Sequence, residues 1–122
     1  MTTKEAVTFH KLERNLLPPT IQQAVDGFVK PEFLKNCTIY IATSSDIQLG
    51  DLVEPFLDVE GLGSFSRTPF EVTKEHMAEG IVWELPAYNL VAESGAPVTA
   101  CYTVWRQEIN PLISPAGKYK VK

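Results

Sequence analysis

The stretch Pro97-Val98-Thr99-Ala100-Cys101-Tyr102-Thr103-Val104-Trp105 alternates without a break. Val98, Ala100, Tyr102 and Val104 fall on one side, Thr99, Cys101, Thr103 and Trp105 on the other. Successive side chains of an extended chain point to opposite faces, so a period of two rich in β-branched and aromatic residues predicts a half-buried strand. It is the longest clean strand pattern in the chain, and shorter strands must pack on it. Prolines at 18, 19, 31, 55, 69, 86, 97, 111 and 115 leave no interval after Pro19 with a sustained 3.6-residue period. Short β-rich runs between prolines mark an all-β sandwich or barrel.

Strands are predicted near 20–25, 37–42, 51–58, 65–72, 80–85, 97–107 and 116–121, an antiparallel sandwich of about seven strands. Residues Thr73 to Gly80 predict one helical turn, with Thr73 as its cap and Gly80 as its terminator. Pro55 lies inside the third run. Proline cannot donate to a ladder, so an edge position or a bulge is expected there.

A chain of 122 residues suffices for one core and not for two. Residues 1–16 read as an N-terminal arm and 17–122 as the domain. Thr2 and Glu5 make a capping-box pattern, and Phe9, Leu12 and Leu16 recur at helical spacing, so a short helix or a loose arm is expected, ended by Pro18-Pro19. A net charge of −4 argues against a nucleic-acid partner, which would call for a basic stripe. No run reaches the roughly 18 apolar residues of a membrane span. The start Met1-Thr2-Thr3-Lys4-Glu5 lacks the apolar core of a signal peptide. The expected location is cytoplasmic, or outside the cell by a route without a cleaved leader.

Leu17-Pro18-Pro19-Thr20-Ile21, Asp26-Gly27, Gly50-Asp51-Leu52-Val53, Val82-Trp83-Glu84-Leu85-Pro86-Ala87, Val98 to Val104 and Ser114-Pro115-Ala116 follow one another as turns and strand faces. In this order, over residues 17–121, the chain resembles the bacterial immunoglobulin-like modules of large repetitive, adhesin-type surface proteins. The resemblance implies an immunoglobulin-like sandwich. The expected role is a non-catalytic binding or interaction module whose partner is another protein or a second copy. A carbohydrate-binding domain with exposed aromatics is the alternative, and an enzyme the least supported reading.

The candidate residues are few. Cys37 shares a face with Ile39 and Ile41, whereas Cys101 lies opposite Val98, Tyr102 and Val104, so one thiol is expected inside, the other outside, and both free. His10 and His76 are the only histidines, and no local motif pairs His76 with either cysteine as a nucleophile and base. Residues 36–66 contain no lysine or arginine but hold Asp46, Asp51, Glu54, Asp58 and Glu60. This reads first as a solvated acidic face, with Asp46, Asp51, Asp58 and Glu60 as weak calcium candidates. No phosphate loop, nucleophile elbow or metal-binding histidine spacing is present, and no cofactor is expected. Trp83, in phase with Ile81 and Leu85, is expected in the core. Trp105 is expected either exposed, as an anchor for a protein or a sugar, or folded under the loop 108–114. Tyr40 and Tyr88 are further candidate platforms. Lys120, in the alternating Lys118-Tyr119-Lys120-Val121-Lys122, is expected to favour an acidic partner, and the stretch 46–60 of a second copy would supply one.

Overall fold

The computed structural model describes residues 16–44, 46–107 and 109–122; His10 and the expected N-terminal arm up to residue 15 lie outside them. In chain order the strands are β1 (Thr20–Ile21), β2 (Phe28–Val29), β3 (Thr38–Ile41), β4 (Leu52–Val59), β5 (Gly63–Ser66), β6 (Phe70–Glu71), β7 (Ile81–Glu84), β8 (Pro97–Arg106), β9 (Ile109–Ile113) and β10 (Gly117–Val121). A 3-10 turn spans Phe33–Lys35, and one short helix, α1, spans Lys74–Glu79. Strands β1, β3 and β7 form a small antiparallel sheet in the order β1-β3-β7. The large sheet runs β2-β10-β8-β4-β5 and is antiparallel except for the parallel pair β2–β10. No helix among the described residues is long and apolar enough to cross a membrane.

The alternation of β8 sets the layering. Val98, Ala100, Tyr102 and Val104 are all buried, beside Val53, Leu57 and Val59 of β4 and against Ile39, Ile41, Ile81 and Trp83 of the small sheet. Each fully buried aliphatic side chain of this kind contributes about 1.5–3 kcal/mol. Tyr102 is the largest of the fully buried side chains, and its hydroxyl donates to the Leu17 carbonyl at 2.7 Å. Tyr119 accepts from the Ile21 N–H at 3.1 Å, and a Cβ at Gly117 would run into the Pro19 carbonyl. The segment entering β1 is thus held by β8 and β10 together. Leu16 is already part of the core, one residue before the expected domain boundary.

Pro55 occupies neither an edge nor a bulge. Strand β4 is interior, paired with β8 along its length and with β5 and β6 on its other side. The proline sits at the gap between β5 and β6, where only a long contact from the Arg67 N–H at 3.4 Å reaches its carbonyl. Its missing N–H therefore costs no ladder bond. Its partner Tyr102 sits at the matching gap between β9 and β10, where Ser114 stands in for the ladder. The Ser114 hydroxyl accepts from the Tyr102 N–H at 3.0 Å, and the Ser114 N–H donates to the Tyr102 carbonyl at 2.9 Å. Both flanking strands are interrupted at one level of the sheet.

Other boundaries differ from expectation for related reasons. The run 65–72 is divided into β5 and β6 around Pro69, and 20–25 shortens to β1 before a turn carries the chain to β2 in the other sheet. Residues 109–113 form β9 rather than a loop, so the described strands number more than the seven expected.

Candidate functional site

The register of the large sheet arranges its outward side chains in rows. One row runs Lys118, Thr99, Asp58 and Ser64 across β10, β8, β4 and β5. Beside it Lys120 lies opposite Pro97, whose carbonyl accepts from the Glu60 N–H at 3.1 Å. In the other direction Cys101 lies beside Phe56, Thr103 between Ile113 and Glu54, and Trp105 beside Leu52. The face therefore has an uncharged spine on β8, a lysine column on β10 and a carboxylate column on β4.

Trp105 is 42% exposed, Leu52 43% and Ile113 67%. The indole is not folded under residues 108–114. A register shift between Val104 and Arg106 leaves Trp105 without a partner on β9, and bulges commonly re-aim a side chain in this way. Trp105 and Leu52 face each other across two strands, with Ile113 on the diagonal.

The remaining candidates are dispersed. Lys120 shares the outward face of Trp105 but lies at the opposite end of β8, with Phe28 beyond it on β2. Tyr40 is on the small sheet, where its hydroxyl donates to the Glu79 carbonyl at 3.2 Å and its ring lies over Gly80. Tyr88 is half-buried beyond β7, its ring centroid 5.0 Å from that of Phe65. The three aromatics occupy three different surfaces. Trp83 is buried between Ile81 and Leu85, as its phase requires.

The acidic stretch is not a uniformly solvated face. Asp46 and Asp51 are buried around Arg106, a cation supplied from the end of β8. The guanidinium donates to both Asp51 carboxylate oxygens, Nε at 2.9 Å and a terminal nitrogen at 2.8 Å, and to the Asp46 carbonyl at 3.0 Å. The Gln48 N–H also donates to Asp51 at 2.8 Å. Burial pushes the Asp51 carboxyl up, but the Arg106 and Gln48 hydrogen bonds and the guanidinium charge together hold it below its ordinary value. Asp58 instead accepts from the Ser64 hydroxyl at 2.8 Å on the exposed face, and Glu60 lies in the turn after β4. The calcium candidates are split between a buried ion pair and an exposed row, and the described residues contain no metal-ligating cluster.

His76 caps the start of α1. Its Nδ1 accepts from the Thr73 N–H at 3.1 Å, while its own N–H donates to the Thr73 hydroxyl at 3.3 Å. Cys37 is buried, and burial pushes its thiol up to about 12. Cys101 is a half-buried free thiol on the outward face, pushed up by burial and by the charge of Asp58. Both shifts disfavour the thiolate form.

Sequence reasoning missed Leu52, Ile113 and Arg106. Leu52 was legible as the alternate of Val53, but Ile113 depended on recognising β9. No local signal ties Arg106 to Asp51. No protein-family model, curated protein or solved structure matches this chain.

Proposed function

We propose that the chain is a non-catalytic protein-interaction module of immunoglobulin-like build, binding through the outward face of its large sheet. The observation that carries this reading is the exposed cluster of Trp105, Leu52 and Ile113 on adjoining strands, with the lysines and the carboxylates Asp58 and Glu60 toward the other end of the same face. An aromatic anchor among apolar neighbours, with a polar rim, is the usual composition of a protein contact surface. The sheet order β1-β3-β7 against β2-β10-β8-β4-β5, with β2 parallel to β10, supports the immunoglobulin-like part of the reading. The engagement of His76 in a helix cap and the raised thiols support the non-catalytic part.

The test is site-specific photo-crosslinking in cells that produce the protein. A photoreactive residue at position 105 is expected to give discrete protein adducts, and one at the exposed Val82 of the small sheet is not. Equal labelling from both positions, or none from position 105, would remove the reading.

A further inference from the structure

The outward face of the large sheet has a charge layout that selects its partner. Along β8, the half-buried Thr99 and Cys101, the buried Thr103 and the exposed Trp105 form an uncharged spine. To one side stand Lys118 and Lys120, both exposed; to the other stand Asp58 and Glu60, also exposed. The two columns are in register. Lys118, Thr99 and Asp58 share one row, and Lys120, Pro97 and Glu60 align in the next. Among the described residues the one ion pair is Arg106–Asp51, away from these columns.

We propose that the partner for this face is a second copy of the chain, packed face to face about a two-fold axis that runs along β8. The inference rests on the reading of this face as an interaction surface. A two-fold axis along the strand direction exchanges the two sides of the sheet while keeping the position along the strand. It therefore sets Lys118 of each protomer over Asp58 of its partner, and Lys120 over Glu60. The spine meets itself, so Trp105 and Leu52 of one protomer are brought to the apolar end of the other. A two-fold axis across the strands does the opposite. It keeps each side in place and reverses position along the strand. Crossing near residues 97–99, it sets lysine over lysine and carboxylate over carboxylate, which is strongly disfavoured. Crossing farther along, it lays the lysines over the Trp105 end without a counter-charge. The pattern thus specifies the axis as well as the partner. Isologous contact also counts every pair twice, so a single charge reversal is felt at two places.

The experiment is sedimentation velocity on the full chain, from micromolar to about half-millimolar concentration, where the affinity of a modest interface is readable. Wild type is expected to move from the 13.6 kDa monomer to a species of twice that mass. Lys118→Glu and Asp58→Lys are each expected to weaken association at least about tenfold, because each replaces two attractions by two repulsions. The double variant Lys118→Glu/Asp58→Lys is expected to regain most of the loss. Trp105→Ala reports on the spine, and it too is expected to dissociate the dimer. All four variants alter exposed residues, and unfolding curves confirm that each is folded before its mass is read.

A monomer throughout the concentration range overturns the proposal. A dimer that ignores the single reversals, or is not restored by the double one, overturns the axis along β8. The more general reading fails separately. Adducts from position 105 with a different protein, alongside a monomeric purified chain, keep the interaction surface and remove the second copy as its partner.

Discussion

Replacing Arg106 by alanine removes the guanidinium that bonds the buried Asp51 carboxylate and the backbone carbonyl of Asp46. The Asp51 side chain is 3% exposed and loses both of its charged hydrogen bonds, keeping only the one from the Gln48 N–H. Asp46, also buried, loses the donor to its carbonyl. Breaking a buried pair by deleting one partner typically costs about 3–5 kcal/mol. The Arg106 side chain is 27% exposed, so water enters the vacated space and part of the penalty is relieved. The expected loss is about 2–3 kcal/mol, or roughly 6–12 °C in Tm for a domain of this size. The pH dependence gives the sharper reading. In the wild type the Asp51 carboxyl titrates below its unfolded value, so its contribution is complete above about pH 4 and is lost as pH falls through the folded value. In Arg106→Ala, burial, the largest of the influences on Asp51, is opposed only by the Gln48 hydrogen bond and moves the carboxyl up, and protonation then relieves the buried charge. The gap between variant and wild type is therefore widest near pH 7 and narrows as the pH approaches about 4. Urea unfolding at several pH values measures it. A loss under about 0.5 kcal/mol at neutral pH, or a gap that does not change with pH, would refute the account of this pair.

Tyr102→Phe removes only the hydroxyl that bonds the Leu17 carbonyl, and chemical denaturation is expected to register a loss of about 1–2 kcal/mol. An unchanged midpoint would mean that the entering segment is not held there. Gly80 has φ 91° and lies under the Tyr40 ring, so Gly80→Ala is expected to cost more than about 1 kcal/mol. Adding Tyr40→Leu relieves the clash but leaves the backbone strain, so partial recovery is the expected outcome. A native-state thiol assay with a disulfide reagent is expected to titrate Cys101 alone, with Cys37 appearing only on unfolding. Two rapid thiols in the folded protein would place Cys37 outside the core.

The period-two run at 97–105 was enough to identify β8, its inward face and the outward direction of Trp105, because alternation follows from one strand's own geometry. The cap and terminator of α1, Thr73 and Gly80, were legible for the same reason, as was the burial of Trp83 beside Ile81 and Leu85. Pro55 was misread because its cost depends on what lies across from it, and a gap between β5 and β6 is invisible in the sequence around residue 55. Asp51 was misread in the same way. Its cation comes from the far end of β8, and Coulomb attraction between residues so distant in the chain leaves no local pattern. The rows of Lys118, Thr99 and Asp58 are the extreme case. Each strand alone settles which side chains share its face, but only the hydrogen-bonded register between strands decides which of them stand side by side.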